Sequence, residues 1–184
     1  MPFTFAVLAL AVAVGYARGG RLLRITDHPL RRSWLLIGGV LLQAAVDVVA
    51  GRSWAPSAVT TIALLASQVL VLAWVWWNRD VPGVVVIAVG FALNLLVITA
   101  NGAMPVDPAA IADAGLPVEG LPPGKHELLT SDTRLQVLAD VLPVAPLRTI
   151  VSLGDVILAG GILLVVQHLM TSPPRDQEPA AVAP

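Results

Sequence analysis

The chain has 184 residues, of which 57% are hydrophobic and only 12% charged, with 11 basic against 12 acidic side chains. A soluble domain carries about 25% charged residues, so this composition excludes an ordinary globular domain and points to a bilayer. The balanced charge excludes a basic face for nucleic acid, and the lack of cysteine excludes disulfides, thiolate catalysis and Cys-ligated zinc.

Crossing a hydrocarbon core takes roughly 17–25 mostly apolar residues. The first apolar run is Pro2–Ala17. Arg18, Arg21 and Arg24 come after it and nothing basic precedes it, which favours a retained helix with its N-terminus outside over a cleaved signal peptide. The first loop then holds five arginines, Arg18, Arg21, Arg24, Arg31 and Arg32. This places it in the cytoplasm and fixes the remaining orientation. Anionic-lipid contact by these arginines is a by-product of that role.

Further runs are Trp34–Ala50, Pro56–Trp77, Val81–Ala100 and Thr149–Leu169. The short connections between the second, third and fourth carry only Arg52, Arg79 and Asp80. Trp34, Trp54, Trp74, Trp76 and Trp77 fall near predicted helix ends, as an aromatic belt requires. The predicted fold is all-α: a polytopic bundle of five transmembrane helices, N-out and C-in, in the plasma membrane. Residues 1–170 form the membrane domain, including an extracytoplasmic loop over 101–148. Residues 171–184 are Pro- and Ala-rich and read as a disordered cytoplasmic tail.

The long loop carries three basic and six acidic residues, a net charge of −3, and agrees with an outside placement. A structureless loop of this length is unusual, and local signals predict two short helices. Asp107-Pro108 reads as N-cap and first helical position, with Gly115 as the stop. Thr130 or Ser131 caps a second helix to about Val141, with Leu135, Leu138 and Leu142 along one stripe. Between them Leu121-Pro122-Pro123-Gly124 is a stiff turn delivering Lys125, His126 and Glu127.

Polar residues inside the apolar runs call for a reason, since a charge at mid-membrane costs about 2.5–3.5 kcal/mol. Helical rise puts Asp47 and Asn94 roughly 20 Å from the inner face and Asp155 roughly 9 Å below the outer one. All three thus share one level in the outer third, with Gln43 one turn from Asp47. Two kinds of role stand for each. Ser152-x-x-Asp155 matches a capping box, Asn94 is a candidate interhelical hydrogen bond, and Asp47 can pair with Arg52. As ligand groups they line an outward-facing polar pocket beneath the loop.

Small residues at Gly15-x-x-x-Gly19, Gly38-Gly39, Ala44-Ala45 and Gly160-Gly161 allow close helix approach and self-association into a homo-oligomer.

Catalytic motifs are nearly absent: no nucleophile elbow, no zinc helix and no Walker loop. Lys125 with Ser131 is a dyad on paper only. Asp132 and Asp140, eight apart on the predicted helix, stand about 12 Å apart, too far for a glycosidase pair. Lys125 and His126 with Arg134 and Arg148 suit an anionic headgroup. The leading reading is a non-enzymatic cell-envelope protein that binds a lipid headgroup or a partner subunit. Its ligand-binding residues are Asp47, Asn94, Asn101, Lys125, His126, Asp132, Asp140 and Asp155. The alternatives are an intramembrane or lipid-modifying enzyme using His126, Asp155 and Asp47, then a small oligomeric transporter. The sequence names no metal and no cofactor.

Several stretches resemble a family of small bacterial multi-pass membrane proteins known only as domain of unknown function 5317. They are Arg18-Gly19-Gly20, Asn101-Gly102 with Met104-Pro105-Val106, Lys125-His126 with Leu128-Leu129-Thr130, Asp132-Thr133, Leu138-x-Asp140 with Pro143, and Ser152-x-Gly154-Asp155. Ala103 stands where the family's second glycine is usual, which makes that turn less free. The resemblance brings no activity. It implies that the motif-bearing surface is the external loop and its junctions with the fourth and fifth helices.

Overall fold

The computed structural model describes residues 2–49, 57–117 and 126–173. The predicted Leu121–Gly124 turn, Lys125, and the tail from 174 onward lie outside the described residues. The protein is mostly helical. Its long helices are α1 (Pro2–Ala17), α2 (Ser33–Val49), α3 (Ser57–Asn78), α4 (Val84–Asn101) and α6 (Leu153–Thr171), with a short α5 (Pro108–Asp113) between the last two. Each long helix lies on one of the five apolar runs. Among the described residues, α4 and α6 are long and apolar enough to cross a membrane, judged by length and composition.

The helices form pairs along small-residue seams. α6 packs against both α4 and α1, while α2 packs on α3. On the α4 side, Gly83 and Gly90 are seven residues apart, and so are Gly154 and Gly161 on α6. Seven residues are about two turns, so each pair lies on one face. A Cβ at Gly90 would stand 2.5 Å from the Gly154 carbonyl oxygen, and one at Gly161 would stand 2.6 Å from the Ile87 amide nitrogen. The two backbones touch, and any side chain would force them apart. Gly15 of α1 makes room for the Met170 side chain and its sulfur, whereas Gly19 has open space and a φ of +76° that ends the helix. Leu35, Trp74, Val84, Val165 and Leu169 close the bundle at the end where α1, α3 and α6 finish, here termed the base. Large apolar side chains face outward around the bundle, Phe5 at 70% and Ile62 at 67% exposure among them.

The other end carries a cap. Strand β1 (Met104–Val106) pairs in parallel with β2 (His126–Leu128), and β3 (Leu142–Val144) pairs antiparallel with β4 (Thr149–Val151). α5 starts as its sequence predicts: Asp107 Oδ1 accepts the Ala109 amide at 2.9 Å, Pro108 takes the first helical position, and Gly115 turns the chain at φ +65°. The second predicted loop helix does not form. Only a single 3-10 turn, Gln136–Leu138, occupies that stretch. Leu135 before it is left-handed at φ +56°, and Ala139 after it is extended. The reason is tertiary: the Asp140 amide donates to Pro105 O and its carbonyl accepts from Asp107 N, so the backbone joins β1 instead of a helix. The Leu135, Leu138 and Leu142 stripe therefore does not exist, and the 12 Å helical spacing of Asp132 and Asp140 does not apply. α6 likewise starts at Leu153, because Thr149–Val151 is spent in β4.

Candidate functional site

Where the cap meets the bundle, three predicted residues form one closed network. Ser152 is the N-cap of α6: its Oγ accepts the Asp155 amide at 3.0 Å, and Asp155 Oδ2 accepts the Ser152 amide at 3.1 Å. This is the predicted capping box. Asn94 on α4 completes it, its Nδ2 donating to Asp155 Oδ1 at 2.7 Å and its Oδ1 accepting from Ser152 Oγ at 2.8 Å. Gly154 makes the room, since a Cβ there would collide with Asn94 Oδ1. Both sides of the Asn94 amide, with Asp155 Oδ1 and Ser152 Oγ, tie α4 to the start of α6, while Asp155 Oδ2 closes the capping box. Asp47 lies in α2, which packs on α3, and its side chain lies outside the described residues.

Above this joint, Asn101 ends α4 and holds the cap. Its Nδ2 donates to Val97 O and Arg134 O, both at 3.0 Å, and its Oδ1 accepts the Arg134 amide at 2.8 Å. One side-chain amide therefore pairs with both backbone groups of a residue 33 positions away. β1 runs from this point with β2 on one side and Asp140 on the other, through a parallel bridge between Val106 and Asp140. That order brings His126 Nε2 to 3.9 Å from Asp140 Oδ2, with both side chains largely buried. His126 and Asp140 are therefore neighbours, while Asp155 is engaged with Asn94 and Ser152.

Beside the Asn101 clamp lies an open depression of about 310 Å³. Ala100, Asn101, Glu127, Leu128, Thr130, Asp132, Thr133 and Arg134 line it. Of the predicted ligand residues that the structure describes, Asn101 and Asp132 stand here, together with Arg134, one of the residues expected to suit an anionic headgroup. Sequence reasoning misses Glu127, Thr130 and Thr133 as ligand groups. The signal for the threonines is their i, i+3 spacing, in which Thr133 Oγ1 accepts the Thr130 amide at 2.9 Å and closes a turn. That spacing competes with the N-cap reading of Thr130. The depression offers two carboxylates, one guanidinium and two hydroxyls within one wall. It can accept from a cationic group and donate to an anionic one at the same time. Among the described residues, no group of three or more acidic or histidine side chains is placed to hold a metal ion.

A helical bundle with a small sheet-built cap at one end defines the class of molecule. The chain belongs to DUF5317, a family of unknown function, whose family model matches residues 27–167. That stretch includes α2, α3, α4 and the whole cap. Comparison with curated proteins and with solved structures gives no match.

Proposed function

We propose that the chain is a multi-pass protein of the plasma membrane that holds a lipid headgroup at its extracytoplasmic cap. In this reading the five long helices cross the bilayer, with the N-terminus and cap outside and the base in the cytoplasm. Apolar side chains around the bundle face lipid, and the arginines of the first loop stand at the cytoplasmic side. The carrying observation is the depression at the end of α4, with its mixed charge of Glu127, Asp132 and Arg134. Exposed Leu128, Leu135 and Val137 belong to the same part of the cap and suit the headgroup boundary. A headgroup with both an amine and a phosphate matches this wall: Arg134 takes the phosphate, and the carboxylates take the ammonium.

The test is native mass spectrometry of the full chain extracted gently and titrated with phosphatidylethanolamine. One bound lipid is expected, with Arg134→Gln and Asp132→Asn each weakening it about tenfold, the worth of one charge-assisted hydrogen bond. Arg134 is clamped through its backbone, so the Gln variant keeps the cap in place. Unchanged lipid retention in both variants overturns the headgroup site. A stoichiometric protein in its place would make the cap a subunit interface.

A further inference from the structure

The base end carries a second depression, remote from the cap. It lies between the last turn of α1 and the 3-10 helix Leu22–Asp27, encloses about 610 Å³, and is lined by Tyr16, Arg21, Leu22, Leu23, Ile25 and Thr26. Most of this wall is apolar, and among the described residues Arg21 is the one charged group in it. Leu23 is 80% exposed and Leu22 is exposed as well, so the turn presents bare aliphatic side chains next to a cation. In water such a surface is unfavourable, and at a bilayer surface it is amphipathic in the right sense.

The arginines nearby are not equivalent. Arg18 Nη1 reaches Gln167 Oε1 and Arg24 Nη1 reaches Met170 O, each at 3.5 Å, so both turn toward the end of α6. Arg32 lies over the Trp77 ring at 4.2 Å. Arg21 is held differently: its backbone amide donates to Met170 O at 3.0 Å, while its side chain makes no hydrogen bond or ion pair among the described residues. The fold therefore fixes the position of Arg21 and leaves its guanidinium to something else. Arg31 is likewise held by its backbone, through Asn78, but it does not line the depression. Asp27 is the only acidic residue in the segment that holds these five arginines, so the local field is positive.

We infer that this depression is a binding site for one phospholipid with an anionic headgroup, its phosphate on Arg21 and an acyl chain along Tyr16, Leu22 and Ile25. The inference rests on the membrane-spanning reading above and is independent of the cap site. The shape supplies the chain-binding wall, and the unengaged guanidinium supplies headgroup selectivity.

The test uses the full chain in detergent, titrated with phosphatidylglycerol or phosphatidylcholine of identical acyl chains and read by native mass spectrometry. The wild type should prefer the anionic lipid by about fivefold, the contribution of one basic residue at an anionic surface. Arg21→Gln should bring the two lipids near parity, and Arg21→Lys should keep the preference. Arg79→Gln removes a cation that stacks over Trp76 at 4.5 Å and does not line the groove, and should change nothing. Tyr16→Ala should weaken both lipids together. Equal binding of the two lipids by the wild type overturns the site, as does an equal loss in Arg21→Gln and Arg79→Gln, which would mark diffuse charge. A chain that stays in the aqueous phase without detergent, on flotation with vesicles, overturns the membrane reading itself and this site with it.

Discussion

The base and the cap are each fastened by the same device, yet they continue in opposite ways. At the base, Asn78 ends α3: its Nδ2 donates to Trp74 O and Arg31 O, both at 2.8 Å, and its Oδ1 accepts the Arg31 amide at 2.7 Å. At the cap, Asn101 ends α4 and does the same with Val97 and Arg134. The residue after each clamped arginine is left-handed, Arg32 at φ +53° and Leu135 at φ +56°. The carbonyl of that residue then accepts an amide three positions on, from Leu35 at 2.9 Å and from Leu138 at 2.8 Å. From this shared start the base grows α2, while the cap stops after one 3-10 turn. Tertiary partners decide the outcome. The apolar run after Arg32 finds α3 to pack on. Beyond Leu138 the backbone is drawn into β1 through Asp140, and the helix has nowhere to extend.

Burial separates the two clamps further, because Asn78 is only 2% exposed while Asn101 is partly open to solvent. An unsatisfied buried polar group costs far more than one that water can reach. The largest effect is therefore expected for Asn78→Ala. It removes three hydrogen bonds and leaves the Arg31 amide and carbonyl without their partner beside the Trp74 core, a loss of about 3 kcal/mol at about 1 kcal/mol for each bond. Thermal unfolding of the purified full chain measures this, and a change below that of Asn101→Ala would break the proposed ranking.

Asn101→Ala removes the same set of bonds, but the exposed Arg134 amide and carbonyl are re-hydrated while Val97 O keeps its bond within α4, so a global loss of about 1 kcal/mol is expected. The signature should be local. The Arg134 amide loses its acceptor, and hydrogen exchange there should quicken with little change in α4 itself. Unchanged exchange at Arg134 would mean that the cap is held by the sheet and not by the clamp.

How far these features show in the sequence depends on how local each one is. The five long helices are legible because apolar runs of that length leave few alternatives. The capping box at Ser152 and the Asp107-Pro108 start are legible because each is encoded within four residues. The second loop helix is misread because Thr130, Ser131 and the leucine spacing are local signals, while the Asp140 pairing with β1 spans more than 30 residues. The glycine seam is half visible: Gly160-Gly161 reads as a small-residue contact, whereas the seven-residue partners Gly83, Gly90 and Gly154 gain their meaning only from the facing helix. Asn78 goes unnoticed, since at the end of an apolar run beside Arg79 and Asp80 it reads as a helix stop. Its clamp on Arg31 appears only in three dimensions.

The smallest expected effect isolates the left-handed residue that both clamps share. A non-glycine residue in this region costs roughly 1–2 kcal/mol in its own backbone, and glycine relieves that at the expense of a more flexible unfolded chain. At Leu135, whose side chain is exposed, the relief should dominate, so Leu135→Gly should stabilise by about 0.5 kcal/mol. At Arg32 the same substitution also removes the guanidinium stacked 4.2 Å over Trp77, worth about 0.5–1 kcal/mol. The two contributions then offset, and Arg32→Gly should leave stability unchanged. Comparing the two glycine variants by unfolding midpoint reads the difference directly. Equal stabilisation in both would show that the arginine–tryptophan contact adds nothing to the base. A loss at Leu135 would show that its side chain, and not the backbone turn alone, holds the cap against α4.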